Sequence, residues 1–204
     1  MFVVKYALQS LYGQWFGNTL FSGTLTGLTI AVVLLAGLYF MALRPKKLSW
    51  VDVGVKGFPA GDWWRIILWT LVLIVSSLAA VYLTSFLGNT VDNSKTESLK
   101  QNVTLATVII GIVSAGIVSP LYKEIFYRGF IYRWLRNRTG MRWAIVISSL
   151  IFTLAHFLTM NAIPVNFISG VVFAWTYERT GSVLPGMIVH GVFNTIAVLL
   201  TAMG

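Results

Sequence analysis

Residues 103–131 read VTLATVIIGIVSAGIVSPLYKEIFYRGFI, and only Lys123, Glu124 and Arg128 carry charge in this run. An apolar run longer than the roughly 20 residues that a helix needs to cross a bilayer predicts a membrane span. Ionisable side chains inside such a span are costly, so they indicate a functional site by default. The stretch therefore predicts a transmembrane helix that also carries chemistry.

The composition of the whole chain agrees with a membrane protein. Hydrophobic residues make up 57% of the chain, charged residues make up 10%, and the mean hydropathy is +0.79. A net charge of +9 would suggest nucleic acid in a soluble domain, but in a membrane protein basic residues gather in cytoplasmic loops. We therefore assign the charge to topology and expect no nucleic-acid partner. The absence of cysteine excludes disulfides, thiolate metal ligands and a cysteine nucleophile.

Five further apolar windows accompany Val103–Ile131. They are Thr19–Leu43, Trp63–Leu87, Trp143–Met160, Val165–Tyr177 and Val183–Met203, of which Val165–Tyr177 is short. The fold class predicted from them is an all-α, polytopic bundle of about six spans, forming one membrane domain over 1–204. Within it, 1–18 is predicted as an interfacial amphipathic helix, 19–102 as two spans with an outer loop at 88–102, and 103–204 as the functional core.

The orientation of the bundle follows from its basic loops. Arg44, Lys46, Lys47 and Lys56 lie in one loop, Arg133, Arg136, Arg138 and Arg142 in a second, and Arg179 in a third. With six alternating spans all three loops share a side, which the positive-inside rule makes cytoplasmic. The N-terminus is then outside.

Polar side chains recur at similar depths on three of the predicted spans. Glu124, His190 and His156 lie about 13, 10 and 20 Å from the cytoplasmic ends of their spans, at 1.5 Å of rise per residue. His156 and His190 are the chain's only histidines. All three positions fall in the cytoplasmic half, so a shared cavity is predicted if these spans are neighbours.

Two pairs with i, i+4 spacing carry this prediction. Glu124 and Arg128 share a helix face, so the arginine can keep the acid ionised. His190 and Asn194 can both donate to one ligand atom, which is what an oxyanion requires. The structural alternatives are an ion pair that ties helices together, a histidine bonded to a backbone carbonyl, and a polar clasp between helices.

Pro120 precedes Glu124 by one helical turn and has no N–H to donate, so it should kink the helix or free a carbonyl near the cavity.

Other classes of intramembrane protease find less support in the sequence. The chain has no His-Glu-x-x-His motif and no pair of aspartates within its spans. Ser114 lies in a small-residue stretch, GIVSAG, that is better explained by close helix packing.

Three patterns occur in order along the second half of the chain: Glu124-Ile-Phe-Tyr-Arg128-Gly129, Phe152-Thr-Leu-Ala-His156 and His190-Gly-Val-Phe-Asn194. They resemble the three motifs of the CPBP family, the CAAX proteases and bacteriocin-processing enzymes, also called Abi proteins. Ser119-Pro120-Leu121-Tyr122 and Thr180-Gly181-Ser182-Val183-Leu184-Pro185 are similar to the segments that precede the first and third motifs in that family. The resemblance covers about half of the chain, 103–203.

The resemblance implies an intramembrane endopeptidase in which paired glutamates and the second-motif histidine activate water. Carried over to this chain, it makes His156 the partner in water activation, His190 and Asn194 the oxyanion donors, and Arg128 the residue that orients the acid. The family pattern begins Glu-Glu, whereas this sequence reads Lys123-Glu124. A charged lysine has three donors and no acceptor, so it cannot take a proton from water.

Four interpretations of Lys123 remain open: an inactive relative that keeps the cavity for binding, an enzyme in which Glu124 and His156 suffice, an introduced inactivating substitution, and a lysine that points away from the cavity. Helical rotation also predicts that residues 123 and 124 face different directions. Two histidines and a carboxylate are a known zinc set, so zinc at Glu124, His156 and His190 is an alternative to the expected absence of a metal cofactor. The adjacent lysine opposes a metal.

Two functions therefore follow from the sequence. The first is an intramembrane endopeptidase of the CPBP type; the second is an inactive relative acting as a membrane scaffold, a bacteriocin immunity factor or a partner-binding protein. Membrane lipid and a peptide or membrane-protein segment are the expected partners, and the bacterial plasma membrane is the expected location. A small-solute transporter is a third class, but the chain shows no internal repeat of the kind transporters have.

Overall fold

The computed structural model of the chain describes residues 2–86, 99–100, 103–156 and 162–203, with side chains from Tyr6 onward. Within these ranges the backbone forms helices and connecting turns, with no β-strand. The predicted all-α class and the helical membrane bundle are confirmed.

Six helices organise the described residues. They are α1 (Phe2–Phe16), α2 (Thr19–Leu38, continued by the wide π-helical turn Tyr39–Leu43), α3 (Trp63–Ser85), α4 (Leu105–Leu154), α5 (Ile163–Thr180) and α6 (Val183–Met203). Within α4, π-helical stretches run over Ile112–Val118 and Glu124–Tyr132. Wide turns of this kind are rare in proteins, and those that occur are often found at functional sites.

The predicted spans correspond to helical stretches of the described residues. Among the described residues, four helical stretches are long and apolar enough to cross a membrane: Thr19–Lys46, Ala60–Ser85, Leu105–Leu154 and Val183–Met203. The third stretch contains two predicted spans, which meet at a bend at Gly140. The φ of Gly140 is 77°, a backbone conformation that glycine adopts much more readily than other residues. We call 105–139 the first arm of α4 and 141–154 its second arm.

The remaining predicted span, Val165–Tyr177, lies within α5, which is not among these four stretches. The span predicted to end at Met160 also stops earlier, because helix α4 ends at Leu154. His156 therefore lies in a turn beyond the helix, where its N–H donates to the Thr153 carbonyl at 2.8 Å. The predicted outer loop, 88–102, falls outside the described residues except for 99–100, where Leu99 is buried.

The predicted N-terminal helix is present as α1, which packs along α2. Tyr12 and Thr29 share a hydrogen bond of 2.9 Å between their hydroxyl groups across this contact. Trp15 and Phe16 remain exposed, with 66% and 56% of their surface accessible. These aromatic side chains agree with the predicted interfacial position, which stays a prediction.

Glycines let α4 and α6 approach closely, as the small-residue stretch predicted. A Cβ atom on Gly116 would lie 2.4 Å from the Thr195 hydroxyl oxygen, and one on Gly191 would lie 2.5 Å from the Gly116 carbonyl oxygen. Further along the same contact, Gly111 lies against Val198. This close crossing places His190 beside the first arm of α4.

A short segment, 50–56, covers the end of the bundle that carries the basic loops, and we call it the strap. Val53 is only 4% exposed, and its carbonyl lies against Gly129 so closely that a Cβ there would be 2.2 Å away. The Val183 N–H donates to the Gly54 carbonyl at 2.9 Å, and the Ser182 hydroxyl donates to the Lys56 carbonyl at 2.6 Å. The Thr180–Pro185 segment is thus where the strap is attached.

An ion pair joins α4 and α5 near the strap. Arg136 donates to Glu178 through Nε and Nη2, both at 3.0 Å from Oε1, and the Tyr132 hydroxyl donates to Oε2 at 2.5 Å. Bidentate pairing of this kind fixes geometry as well as charge. Together with the strap, this ion pair connects α4 and α5 at the basic end of the bundle.

We expect Gly129→Ala to detach the strap, because the new methyl group would overlap the backbone of Val53. Overpacking of this kind costs about 1–3 kcal/mol. The measurement is the thermal midpoint of the protein in detergent, together with the rate of trypsin cleavage after Lys56.

Gly37→Ala is the matched control, since nothing lies within 4 Å of the position that its Cβ would take. Its midpoint should equal or slightly exceed that of the wild type, because alanine is the better helix former. Equal stability and equal cleavage of the two variants would contradict the described attachment of the strap.

Candidate functional site

A buried ion pair forms the base of the candidate site. Glu124 and Arg128 are 0% and 1% exposed, and Arg128 Nε lies 3.4 Å from Glu124 Oε2. Arg128 Nη2 also donates to the Gly170 carbonyl of α5 at 3.0 Å. The two opposite charges stabilise each other, because burying a charge without a partner costs several kcal/mol of folding free energy. The predicted i, i+4 pairing is confirmed.

Aromatic rings enclose the guanidinium of this pair. The Arg128 Cζ lies 4.5 Å from the centroid of Phe152 and 5.2 Å from that of Phe173. Phe173 also stacks on the imidazole of His190, with 4.4 Å between centroids and 14° between planes. Phe152 opens the second motif of the sequence and was expected to support the site, whereas Phe173 was not predicted, because a phenylalanine within an apolar helix carries no distinguishing sequence signal.

Glu124 binds one of the two histidines directly. Its Oε1 lies 2.8 Å from His190 Nδ1, and His190 is 4% exposed. Gly186 permits this contact, since a Cβ there would lie 3.2 Å from Glu124 Oε2. The pair joins α4 to α6 and brings together two predicted site residues. Gly186 is a further residue that the sequence did not reveal.

Lys123 binds the other histidine. Its Nζ lies 2.8 Å from His156 Nε2, while His156 Nδ1 lies 2.8 Å from the Phe152 carbonyl oxygen. Because a carbonyl only accepts, Nδ1 carries the hydrogen, and in a neutral ring Nε2 is then the acceptor. Lys123 therefore donates to the one imidazole nitrogen of His156 that could take a proton.

The interpretation in which Lys123 points away from the cavity is thus wrong. The rotation of a helix between consecutive residues sends Lys123 toward the end of α4 and Glu124 toward α6, as predicted. The described contacts form two separate pairs, Lys123 with His156 and Glu124 with His190. Phe152 lies between them, with its ring 4.7 Å from the imidazole of His156 and 6.2 Å from that of His190.

Asn194 has a partner that the sequence analysis did not assign to it. Its side-chain N–H donates to the Ala115 carbonyl at 2.8 Å, whereas His190 Nδ1 faces Glu124. The prediction that His190 and Asn194 converge on one atom is therefore not what these contacts show. Ala115 lies in the π-helical stretch Ile112–Val118, where the Ser119 N–H reaches the Ser114 carbonyl five residues back.

The same spacing explains the contact of Asn194. In an i to i+5 pattern the Ala115 carbonyl would pair with the nitrogen of Pro120, which has no hydrogen. The amide of Asn194 supplies the missing donor. The predicted effect of Pro120, a freed carbonyl near the site, is the physical cause of this contact.

The metal alternative concerned Glu124, His156 and His190. In the part of the chain that the structure describes, no group of three or more His, Cys, Asp or Glu side chains gathers as metal ligands do. Glu124 faces His190, and the ammonium of Lys123 faces the His156 nitrogen that would coordinate a metal. Zinc at this place stays an untested prediction.

The chain is similar to known membrane peptidase sequences. Residues 104–196 match the family model described as "Rce1-like: Type II CAAX prenyl endopeptidase Rce1-like". "Putative membrane peptidase YdiL" of Bacillus subtilis (strain 168) is 29% identical over 96 residues, which are 47% of this chain and 39% of that protein. "UPF0177 protein YxdF" of Lactococcus lactis subsp. lactis (strain IL1403) is 26% identical over 137 residues, which are 63% of this chain and 73% of that protein.

No solved structure matches the chain. The match with YdiL spans well under half of that protein, so the resemblance concerns a region and not its whole length. The matched residues 104–196 hold every predicted site residue. The resemblance to the CAAX-protease family is thereby confirmed for the part of the chain that forms the site.

We expect Asn194→Ala to destabilise the protein, because it leaves the Ala115 carbonyl without a donor inside the bundle. An unsatisfied buried group costs about 1–3 kcal/mol. In a Pro120→Ala background the new N–H can replace the lost amide, so the same Asn194→Ala substitution should cost less. Thermal unfolding of the four variants in detergent measures the coupling.

Additive effects of the two substitutions would contradict the proposed link between Pro120 and Asn194. Thr201→Ala serves as the control in both backgrounds, since Thr201 is a half-buried residue near the end of α6 whose hydroxyl bonds within its own helix, to the Ala197 carbonyl at 2.8 Å. Its small effect should be the same with and without Pro120.

Proposed function

Residues 104–196 are related to the type II CAAX prenyl endopeptidases, and from this premise we propose that the protein is a non-hydrolytic member of that family. In this proposal the site holds a peptide or a membrane-protein segment as a partner and does not cleave it. A scaffold role and an immunity role are both forms of this partner binding. The protein is integral to the membrane, and we propose the bacterial plasma membrane as its location, with the basic loops on the cytoplasmic side.

The contact between Lys123 and His156 carries the proposal. Hydrolysis by activated water requires an acceptor beside the water that can take its proton. Nε2 of His156 is the acceptor in that position, and it accepts from the ammonium of Lys123 at 2.8 Å. Nδ1 is used by the Phe152 carbonyl. A water at His156 would first have to displace the lysine.

The charges near the site support the same conclusion. Glu124 is the carboxylate of the site: its Oε1 lies 2.8 Å from His190 Nδ1, and its Oε2 lies 3.4 Å from Arg128 Nε, in an ion pair without a hydrogen bond. Glu124 faces α6 and Arg128, and its contacts are with His190, whereas His156 is met by Lys123. Glu124 is therefore poorly placed to replace a first-motif glutamate beside His156.

Hydrolysis remains the second candidate because of one contact. If Glu124 holds the Nδ1–H of His190, it orients that ring as a carboxylate orients the histidine of a catalytic triad. Nε2 of His190 would then be the base, in a role that the resemblance gives to His156. The experiments below separate this candidate from the first.

We predict that His156 is neutral, with its hydrogen on Nδ1 and with Nε2 accepting from Lys123. Because the chain contains only two histidines, ¹⁵N labelling of the imidazoles yields two sets of signals in a nanodisc sample. His190→Gln assigns them. Lys123→Met should then shift Nε2 of His156 toward the value of a non-bonded acceptor and leave His190 unchanged.

A hydrogen on Nε2 of His156, or signals that do not respond to Lys123→Met, would overturn the proposal. Lys46→Met is the matched control, because it removes an exposed lysine from a loop outside the site. It should leave all four nitrogen signals where they are.

We further predict that the wild-type protein does not cleave a farnesylated, internally quenched peptide with a C-terminal CAAX sequence, whereas Lys123→Glu gains slow cleavage. The glutamate restores an acceptor beside His156, and general-base assistance is worth about 10²–10⁴-fold in rate. Fluorescence release in proteoliposomes is the measurement.

Cleavage by the wild type that is lost in both Glu124→Gln and His156→Ala would establish an enzyme and end the non-hydrolytic proposal. Loss in Glu124→Gln and His190→Ala, with His156→Ala still active, would identify His190 as the base. Lys123→Gln is the control for Lys123→Glu, since it removes the ammonium without supplying a carboxylate.

A further inference from the structure

Three helices that reach the basic end of the bundle finish with the same pattern, an arginine four residues after an aromatic residue. The pairs are Phe40 with Arg44 at the end of α2, Trp134 with Arg138 at the end of the first arm of α4, and Trp175 with Arg179 at the end of α5. Residues four apart share a helix face, so each guanidinium can reach the ring one turn before it. We call these three the aromatic–arginine pairs.

In each of these pairs the guanidinium lies over the ring. Arg138 Cζ is 4.1 Å from the ring centroid of Trp134, and Arg179 Cζ is 4.2 Å from that of Trp175. The pair at the end of α2 is looser, with 5.8 Å between Cζ and the centroid. Aromatic rings, tryptophan above all, attract a cation placed over their face. The rings therefore hold the guanidinium groups against the surface of the bundle.

A basic residue in the last turn of a helix has an ordinary explanation, because it interacts favourably with the free carbonyl groups at that end. This explanation covers the arginines, and Arg138 indeed donates to the Trp134 carbonyl at 3.1 Å. It does not cover the rings. Helices α3 and α6, which end at the opposite end of the described bundle, have no basic residue in their last turns. The pattern therefore belongs to one end of the bundle and not to helix ends in general.

The basic end carries more positive charge than its own acids neutralise. Three acids lie at this end, and each already accepts from a neighbouring side chain: Asp52, Asp62 and Glu178. The exposed basic side chains that take part in no ion pair among the described residues are Arg44, Lys46, Lys47, Lys56, Arg138, Arg142 and Arg179. Their charge complements anions that come from outside the chain.

The surroundings of the pairs are typical of a membrane surface. Trp134 and Trp143 stand on either side of the α4 bend and are 49% and 65% exposed, while Trp63 and Trp64 at the start of α3 are 51% and 59% exposed. Tryptophans gather at the level of the lipid headgroups, where the phosphates also lie. A guanidinium can bind a phosphate through two N–H groups at once. A soluble acidic partner would instead require cations that extend into water, whereas these arginines lie back on their rings.

We propose that the basic end of the protein binds anionic phospholipid, with the aromatic–arginine pairs holding the headgroup phosphates. The other exposed cations raise the concentration of anionic lipid around the pairs. The occupant is a lipid such as phosphatidylglycerol, whose phosphodiester has no cation beside it, because a choline group would bring a second positive charge next to the arginines. The proposal does not depend on whether the site of Glu124 cleaves a peptide or only binds it.

Native mass spectrometry of the purified full chain measures this preference. The protein is mixed in detergent with equal amounts of phosphatidylglycerol and phosphatidylcholine that carry the same acyl chains, so that only the headgroups differ. The wild type should retain the anionic lipid preferentially. Arg138→Gln and Arg179→Gln should each lower that preference about fivefold, the effect expected of one basic residue at an anionic surface.

Lys100→Gln is the matched control, since it removes one exposed positive charge close to the start of α4, away from the basic end. It should leave the preference unchanged. An equal loss of preference in Lys100→Gln would show a general effect of net charge and overturn the proposal, as would an unchanged preference in both arginine variants. Arg138 and Arg179 are exposed, so both variants should fold, and their thermal midpoints in detergent verify this.

Trp134→Leu tests the ring separately from the charge. It keeps Arg138 but removes the aromatic face that holds the guanidinium, so the preference should fall, though by less than in Arg138→Gln. An unchanged preference in Trp134→Leu would overturn the role given to the rings.

Two competitors separate a lipid from other anions. Inorganic phosphate and a soluble polyglutamate peptide are each added to the wild-type mixture, and sodium chloride at the same ionic strength corrects for screening. Neither competitor should displace the lipid, because neither brings an acyl chain to the apolar surface beside the pairs. Displacement by inorganic phosphate would show a site for a free anion, and displacement by the peptide would show an acidic protein partner. Either result would overturn the proposal.

Discussion

The buried carboxylate of Glu124 is the constraint on which the rest of the site depends. A carboxylate with no exposed surface needs partners within the protein: Arg128 from the next helical turn supplies the opposite charge, and His190 from α6 supplies a hydrogen-bond contact. Breaking a buried ion pair by removing one member typically costs about 3–5 kcal/mol. The guanidinium in turn binds α5 through the Gly170 carbonyl and contacts two aromatic rings. One charge thus ties three helices together.

The glycine contacts follow from the same need for short distances. Glu124 can reach His190 only because α4 and α6 approach at Gly116, Gly186 and Gly191, where larger residues would overlap their neighbours. Pro120 lies within this crossing and leaves the Ala115 carbonyl without a backbone donor. The side-chain amide of Asn194 in α6 donates a hydrogen bond to that carbonyl. Helix packing inside a membrane relies on small residues and on such interhelical hydrogen bonds. Asn194 therefore has a structural reason to be present that is independent of catalysis.

The sequence predicted the composition of the site better than its pairings. Depth along each span and the i, i+4 rule were enough to group Glu124 with Arg128 and to bring both histidines near them. Which histidine each side chain meets depends on helix neighbours and on the wide turns in α4, neither of which leaves a local signal. Phe173 and the strap were missed for the same reason. An aromatic residue in an apolar run and a short loop have no local sequence signal that shows what they will contact in the folded protein. The sequence also did not show that two of the predicted spans meet at a bend at Gly140.

The chemistry of Lys123 decides what such a site can do. Holding a peptide carbonyl requires hydrogen-bond donors, whereas activating water requires an acceptor, and a single side chain at position 123 shifts the site from the second property toward the first. Arg128 and Lys123 supply donors, while Glu124 Oε1 and His156 Nε2 are engaged by His190 and Lys123. A glutamate in place of the lysine would reverse this balance without any change in the fold, because the lysine already faces His156. In the proposed function, binding and hydrolysis would therefore differ by the charge of one residue.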